Sequence, residues 1–395
     1  MTTLTVRRNR IGPVVARHPW IFAGALEDVP EGLETGAAVR MVAPDGRFLG
    51  QGYFNGYSQI AVRIWSWDEN ERIDDAFFRH RIQRALALRE RMVAGTNTNA
   101  YRLIFGENDL LPGLVVDRYA DYFCIQCHTR GIEVWRDAVV RALVEVAHPA
   151  GIYERSDVRV RRTEGAEATT GLLRGELPAL VEILENGLRF FVDIAGGQKT
   201  GFFLDQRDKR AALRRYARDR RVLNCFCYTG GFSVYAGAAG ATHITSIDVS
   251  SRALEIAWQN VEANQLPADR FEFVCADVKN YLAAPERATE RPFDVIILDP
   301  PAFVKDRRKV KEGLVGYRRI NEAALRILAP DGILVTCSCS GHISQADFRH
   351  LLAECAGRAG RTVQILETHG HGPDHPELAP YTESAYLKTL ICSVW

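Results

Sequence analysis

The feature that most constrains the fold is an alternation of apolar strands with amphipathic helices, which begins after about residue 190. Apolar segments include RVLNCF, HITSID, FEFVCAD, FDVIILDPP and GILVTCS, and helical segments between or after them include ALEIAWQNVEAN, YRRINEAALRIL and ADFRHLLAECAGR. Continuous apolar strands between amphipathic helices are typical of a parallel sheet covered by helices on both faces. The sequence therefore predicts an α/β, Rossmann-like domain over residues 188–395, in which ligands bind at the carboxyl ends of the strands.

The part of the chain before this alternation has a different character. Residues 1–72 contain short strand-like segments separated by turn residues, which predict a small β-barrel. Residues 73–187 begin with a predicted connecting helix and continue with strands and a helix over IEVWRDAVVRALVEVA. This pattern predicts a small middle α+β domain. A chain of 395 residues is longer than one hydrophobic core usually serves, so we expect three domains, at 1–72, 73–187 and 188–395.

Composition excludes several classes of protein. No apolar run approaches the ~18 residues that a membrane-spanning helix needs, and the first residues have no apolar stretch of signal-peptide length. We therefore expect a cytoplasmic protein with no membrane partner. The nine cysteines are scattered, and no second pair at suitable spacing accompanies Cys124 and Cys127 to complete a zinc site, so no metal is predicted.

Two clusters of basic residues stand out although the net charge is only +1. Arg7, Arg8 and Arg10 lie in an N-terminal stretch without acidic residues, and VKDRRKVK contains Lys305 and Arg307. Arginines with aromatic neighbours suit contacts with RNA phosphates and bases, so these five residues are candidate RNA-binding residues. A solvated charged surface is the alternative interpretation of each cluster.

The loop NCFCYTGGF follows the first strand of the α/β domain. Gly230 lies where the strand turns into a helix, so backbone N–H groups and the helix N-terminus face a polar ligand there. A glycine pair alone is weak evidence for a cofactor loop. The cofactor-binding residues predicted in this loop are Phe226, Tyr228, Thr229 and Gly230.

Acidic residues follow the next three strands. Asp248 is placed to accept hydrogen bonds from ribose hydroxyls, Asp277 from an adenine amino group, and Asp299 opens an Asp-Pro-Pro-Ala-Phe turn. Any one of them is equally compatible with a helix cap. Together they match the polar groups of S-adenosylmethionine, and the loop lacks the full G-x-G-x-x-G pattern of dinucleotide oxidoreductases. We therefore predict an S-adenosylmethionine-dependent methyltransferase.

Five segments of the chain resemble the bacterial 23S rRNA cytosine-5 methyltransferase I family: GGQKTGFFLDQR, LNCFCYTGGF, LDPPAF, TCSCSG and DHPELAPYTESAYLK. The resemblance runs nearly the whole chain. It implies an N-terminal PUA domain, a middle α/β domain and a class I methyltransferase domain with a seven-stranded sheet. It also implies large-subunit ribosomal RNA as the partner, a tendency to form homodimers, and an RNA-binding role for the cluster that contains Arg7, Arg8 and Arg10.

The end of the fifth strand, ILVTCSCSG, carries two cysteines. Carbon 5 of cytosine is too weak a nucleophile to take a methyl group unaided, and a thiolate that adds to carbon 6 activates it. The resemblance places the nucleophile on Cys339 and leaves Cys337 as a buried thiol, while Asp299 is expected to hold the cytosine ring. Pro301 stands where many RNA cytosine-5 enzymes have a second cysteine, so the base that removes the carbon 5 proton is unassigned.

Two other functions fit part of the pattern. The Asp-Pro-Pro-Ala-Phe turn favours methylation of an exocyclic amine, such as guanine N2 or adenine N6, which needs no thiol. The second alternative is a vestigial enzyme that acts as an RNA-binding or ribosome assembly factor. Its weakness is that the acidic residues and glycines of the predicted cofactor site are all present.

Overall fold

The computed structural model describes residues 1–284, 292–304 and 306–395, so Lys305 lies outside the described residues. The chain forms two compact units. We call residues 1–184, 192–204 and 373–382 the N-terminal unit, and residues 185–191, 205–372 and 383–395 the C-terminal unit.

The first sheet of the N-terminal unit is built from short strands joined by turns. Its strands are β1 (Thr2–Thr5), β2 (Trp20–Ile21), β3 (Ala38–Val42), β4 (Phe48–Phe54) and β5 (Val62–Ser66). They lie in the order β1-β3-β4-β5-β2, with β1 and β3 parallel and the other pairs antiparallel. Apolar side chains such as Val39, Val62 and Ile64 form the core of this segment, which also includes the short helix α1 (Ile11–Val15).

The second sheet of the N-terminal unit follows a long helix, α2 (Asp75–Val93). Its strands are β6 (Ala100–Phe105), β7 (Leu114–Tyr119), β8 (Tyr122–Cys127), β9 (Gly151–Ser156) and β10 (Thr169–Gly175). The strand order is β10-β9-β8-β7-β6, and helices α3 (Arg130–Glu133) and α4 (Arg136–Ala147) connect β8 to β9. Helix α2 packs with β6 and α4 over a shared apolar core.

A seven-stranded mixed sheet, formed entirely by described residues, organises the C-terminal unit. Strands β11 (Val181–Glu185) and β12 (Leu188–Val192) form a separate two-stranded sheet ahead of it. The seven strands are β13 (Arg221–Cys225), β14 (His243–Asp248), β15 (Phe271–Cys275), β16 (Phe293–Leu298), β17 (Leu328–Ser338), β18 (Val363–His369) and β19 (Lys388–Val394).

The order of the large sheet is β15-β14-β13-β16-β17-β19-β18. The five strands from β13 to β17 run parallel to one another. Strand β19 pairs antiparallel with both β17 and β18. The chain moves outward from β13 to β15 and then returns to the other side of β13 with β16. This reversal creates a topological switch point between β13 and β16, where open α/β sheets bind their ligands.

Helices cover the large sheet, as the alternating sequence pattern predicts. They are α5 (Arg207–Ala217), α6 (Gly231–Ala238), α7 (Ser251–Ala263), α8 (Val278–Leu282), α9 (Val310–Ile327) and α10 (Gln345–Ala359). Apolar side chains of the strands, including Leu223, Ile296 and Leu334, form one continuous core with Phe348 and Leu351 of α10.

The predicted α/β class is confirmed: the C-terminal unit has a seven-stranded sheet covered by helices. Among residues 1–284, 292–304 and 306–395, no helix combines the length and apolar character needed to cross a membrane.

Candidate active site

The parallel strands β13 to β17 place the predicted cofactor and catalytic residues after their carboxyl ends. The loop from Phe226 to Gly230 follows β13, Asp248 ends β14, Asp277 comes soon after β15, Asp299 follows β16, and Cys339 follows β17. Because these strands are parallel, their carboxyl ends meet at one edge of the sheet. The structure therefore brings these predicted residues to a common edge of the C-terminal unit.

The loop after β13 has an unusual backbone. Phe226 and Tyr228 have φ angles of 60° and 49°, a left-handed conformation that bulky residues adopt rarely and that costs on the order of 1–3 kcal/mol. Gly230, with φ 75°, is the N-cap residue of α6, and a Cβ atom there would lie 2.9 Å from the Cβ of Ala257. Such strain is often found at ligand-binding loops.

Asp248 ties this loop to the end of β14. Its Oδ2 accepts a hydrogen bond from the backbone N–H of Tyr228 at 2.9 Å, and its Oδ1 accepts one from the backbone N–H of Ser250 at 3.0 Å. The residue is only 8% exposed. A carboxylate oxygen has more than one lone-pair direction, so each oxygen retains capacity for a further donor.

Thr229 carries a buried hydroxyl for which the described residues supply no hydrogen-bond partner. Its backbone oxygen accepts a hydrogen bond from Asn260 Nδ2 at 2.8 Å, which fixes the residue in place. An unpaired buried hydroxyl costs about 1–3 kcal/mol unless a ligand or water satisfies it. The strained backbone, the close-packed Gly230 and this hydroxyl together fit a loop shaped around a polar ligand.

Asp277 is exposed and caps helix α8, because its Oδ1 accepts a hydrogen bond from the backbone N–H of Asn280 at 3.0 Å. A helix cap was the alternative interpretation of each acidic residue, and Asp277 does cap a helix. Capping occupies one carboxylate oxygen and leaves the side chain in an exposed position at the edge of the sheet.

Asp299 is held by a residue from outside the predicted set. Gln206 immediately precedes α5, and its Nε2 donates a hydrogen bond to Asp299 Oδ1 at 2.9 Å. The Gln206 side chain is 2% exposed, and its Oε1 has no hydrogen-bond partner within the described part of the chain. The signal for this residue was present in the segment GGQKTGFFLDQR, but its partner lies 93 residues away.

Cys337 and Cys339 occupy contrasting environments. Cys337 is buried, which raises the pKa of its thiol far above the ordinary value, and it accepts a hydrogen bond from Thr389 Oγ1 at 3.2 Å. Cys339 is partly exposed, and its Sγ lies 3.7 Å from the backbone oxygen of Pro300 in the turn after β16. The prediction of a buried Cys337 is confirmed.

The segment around Cys339 is fixed mainly through Ser340. Ser340 Oγ accepts a hydrogen bond from the backbone N–H of Val304 at 3.2 Å and forms another with Tyr317 Oη at 2.9 Å. The Lys388 ammonium donates to Ser340 O at 2.6 Å. Sequence reasoning missed Lys388, which ends the segment DHPELAPYTESAYLK.

The predicted RNA-binding residues are all exposed where the structure describes them. Arg8 and Arg10 form part of a short 3-10 helix in the N-terminal unit, and Arg7 donates through its Nε to Leu26 O at 2.7 Å. Arg307 lies in the C-terminal unit at the start of the 3-10 helix Arg307–Lys309. In the described part of the chain, no group of three or more His, Cys, Asp or Glu side chains is arranged to hold a metal ion.

Comparisons with known families agree with this geometry. Residues 138–392 match a family described as S-adenosylmethionine-dependent methyltransferase, and residues 4–67 match a PUA-like domain. The structure is similar to the crystal structure of the methyltransferase SMU.776 complexed with SAH. The TM-score is 0.85 and the sequence identity 25%, with full coverage of both chains.

Curated relatives are similar over almost the whole chain. The ribosomal RNA large subunit methyltransferase I of Enterobacter sp. (strain 638) is 43% identical over 392 residues, which cover 99% of each chain. The protein of the same name from Tolumonas auensis is 44% identical over 392 residues, covering 99% of this chain and 98% of the relative. The predicted methyltransferase fold with an N-terminal PUA-like domain is confirmed, and the chain belongs to the ribosomal RNA large subunit methyltransferase I family.

Proposed function

We propose that this chain transfers a methyl group from S-adenosylmethionine to carbon 5 of a cytosine in the RNA of the large ribosomal subunit, with Cys339 as the nucleophile. The observation that carries the proposal is the partly exposed Cys339 thiol at the carboxyl end of β17, beside the turn that follows Asp299. The names of the relatives support ribosomal RNA as the substrate class, and the resemblance of the TCSCSG segment supports carbon 5 as the acceptor.

The loop after β13 and the acidic residues beyond the next strands would hold the cofactor. The Thr229 hydroxyl and the backbone of Gly230 would bind its polar groups, with Phe226 and Tyr228 beside it. Asp248 would accept from the ribose hydroxyls, using the lone pairs that its two backbone donors leave available. Asp277 would accept from the adenine amino group. When bound, S-adenosylmethionine supplies the methyl group on a positively charged sulfonium.

The Cys339 thiolate would form a bond to carbon 6 of the cytosine, which moves the ring electron pair onto carbon 5. Carbon 5 then takes the methyl group and loses its proton to a base. Elimination breaks the bond between Sγ and carbon 6 and restores both the ring double bond and the thiolate. Asp299, oriented by Gln206, would accept a hydrogen bond from the exocyclic amine and hold the ring against the thiol.

RNA binding would involve residues of both units. We assign phosphate contacts to Arg7, Arg8 and Arg10 in the PUA-like domain and to Arg307, and we keep Lys305 in this set although it lies outside the described residues. We also retain the domain boundaries at residues 72 and 187 and the homodimer implied by the family resemblance. Ribosomal RNA as the substrate makes the cytoplasm the compartment in which the enzyme would act.

The acceptor is tested by nucleoside mass spectrometry of unmodified ribosomal RNA after incubation with purified protein and S-adenosylmethionine. We expect 5-methylcytidine with the wild-type chain and none with Cys339→Ala. Cys337→Ala is the matched control, because it removes the neighbouring buried thiol, and it should still form the product. RNA that carries 5-fluorocytidine should give a denaturation-resistant adduct with the wild type and with Cys337→Ala only, since fluorine at carbon 5 blocks the proton loss.

Other products would contradict the proposal in distinct ways. A methylated purine that persists in Cys339→Ala would indicate exocyclic-amine methylation, which the Asp-Pro-Pro-Ala-Phe turn also suits. No methylation of either naked RNA or a precursor particle, together with no S-adenosylmethionine binding in calorimetry, would indicate a vestigial enzyme that acts in assembly.

A further inference from the structure

Lys388 is a buried cation next to the segment that carries Cys339. It is the first residue of β19, and its Cα pairs in register with that of Ser338, the last residue of β17. The side chain is largely buried, and its ammonium donates to Ser340 O at 2.6 Å and to Tyr386 O at 2.8 Å. Two of its three N–H donors are therefore used to hold the ammonium group beside the Cys339 segment.

A buried ammonium costs free energy unless a negative charge compensates it. Burial lowers the pKa of Lys388 to about 8, while the charges of the Cys339 thiolate and of Asp347 act in the opposite direction and favour the ammonium. The interaction between the ammonium and the thiolate is reciprocal. A positive charge that the thiolate stabilises also stabilises the thiolate.

Three titratable groups that the structure describes on neighbouring elements do not supply a positive charge. Tyr317 of α9 is buried, which raises the pKa of its phenol, so it is neutral near pH 7. Asp299, after β16, and Asp347, in the first turn of α10, carry acidic side chains.

We propose that Lys388 is a positioning residue that keeps Cys339 as a thiolate ready to attack the cytosine ring. The proposal rests on Cys339 being the nucleophile, and it adds a charge partner that neither the sequence pattern nor the comparisons assign. The ammonium lies 2.6 Å from the backbone oxygen of the residue next to Cys339, and a neighbouring positive charge lowers the pKa of a thiol.

The test measures how the reactivity of the Cys339 thiol depends on pH, and it needs neither RNA nor S-adenosylmethionine. The full-length protein is alkylated with iodoacetamide over a range of pH, and the modification of Cys339 is followed by peptide mass spectrometry. Cys275 is also exposed and serves as an internal reference within the same molecule. We expect Cys339 of the wild type to react at a lower pH than Cys275.

Two variants separate the charge of Lys388 from its shape. Lys388→Met removes the charge and keeps the length, so the Cys339 alkylation rate at pH 7 should fall about tenfold, equivalent to one pKa unit, with Cys275 unchanged. Lys388→Arg keeps the charge and should retain most of the wild-type reactivity. If methyl transfer is measured, Lys388→Met should shift the acidic limb of the pH profile upward and lower kcat, with the KM for RNA unchanged.

An unchanged Cys339 profile in Lys388→Met would overturn the proposal, as would equal shifts in the Met and Arg variants. If Lys388→Met fails to fold, the wild-type profile alone decides: a Cys339 pKa at or above that of Cys275 contradicts the proposal. Failure of the proposed function has a different signature, because Cys339→Ala would then remain active while the alkylation result still stands.

Discussion

The hydroxyl of Thr229 allows the cofactor site to be probed at the scale of one atom. Thr229→Val keeps the shape of the side chain and removes a buried group that has no partner among the described residues. We expect the free energy of unfolding without cofactor to stay the same or rise by about 1 kcal/mol, because an unsatisfied donor is removed. The affinity for S-adenosylmethionine should fall about tenfold, the loss of roughly one hydrogen bond. Denaturant unfolding and calorimetry measure the two quantities.

Thr245→Val is the matched control for this prediction. Thr245 is equally buried, but its hydroxyl donates a hydrogen bond to Glu272 Oε2 at 2.9 Å. Its loss should lower the free energy of unfolding by about 1 kcal/mol and leave cofactor affinity unchanged. If both variants lose stability and neither loses affinity, the Thr229 hydroxyl does not contact the cofactor.

At the residue scale, the family resemblance predicted a buried Cys337. Side-chain alternation cannot separate it from Cys339, because residues two apart along a strand face the same way. The partly exposed Cys339 differs because β17 ends at Ser338, between the two cysteines. The local sequence pattern also gave no information about Gln206 or Lys388, whose partners Asp299 and Ser340 lie 93 and 48 residues away. Such partnerships arise from the order of strands in the sheet, which the local sequence pattern does not determine.

Helix α10 follows the Cys339 segment and has a reciprocal capping arrangement at its start. The Ser344 hydroxyl accepts from the backbone N–H of Asp347, and the Asp347 carboxylate accepts from the backbone N–H of Ser344. We expect Ser344→Ala to lower the free energy of unfolding by about 1 kcal/mol at pH 7. Chemical denaturation measures this change, and the iodoacetamide profile of Cys339 should remain that of the wild type.

The capping prediction has a pH dependence with a defined sign. Hydrogen bonds from the Ser344 side chain and backbone lower the pKa of Asp347. A carboxylate whose pKa is lowered on folding contributes stability above its unfolded value, near 3.9, and loses that contribution as the pH falls through its folded value. The difference between wild type and Ser344→Ala should therefore shrink below about pH 4. A constant difference down to pH 2 would show that Asp347 does not take part.

At the scale of elements, strongly periodic segments were predicted well and tertiary contacts account for the differences. The helix expected over residues 132–147 is divided into α3 and α4. The Thr129 hydroxyl caps α3, and the indole of Trp135, at the break, donates to Gly36 O at 2.9 Å. A contact with a residue 99 positions earlier cannot be read from helical periodicity.

RNA binding belongs to the scale of the whole molecule. Arg8 and Arg10 are exposed on the PUA-like domain, so the double variant Arg8→Ala, Arg10→Ala should weaken binding to ribosomal RNA. If each contacts one phosphate, the salt dependence of log affinity should become shallower by about 2. Fluorescence titrations at several salt concentrations measure this slope. Arg47→Ala removes an exposed charge on the same domain and should leave the slope unchanged.

At the same scale, the sequence pattern predicted the α/β class because alternation of strands and helices leads to a parallel sheet. The position of β19 was not predictable in this way. Strand β19 pairs antiparallel between β17 and β18, although β18 precedes it in the chain. The position that a late strand takes in a sheet depends on competition among pairings with distant strands. The hydrophobic patterns of β18 and β19 do not distinguish among these pairings.

The position of β19 has a consequence for how the protein is made. Lys388, Thr389 and the rest of this strand leave the ribosome after every other element of the large sheet, and β18 has no partner in the sheet until β19 arrives. The contact between Lys388 and Ser340 therefore forms only after the rest of the large sheet has been made. A nascent chain that has not yet reached β19 carries the Cys339 segment without this contact, however much of the sheet has already assembled.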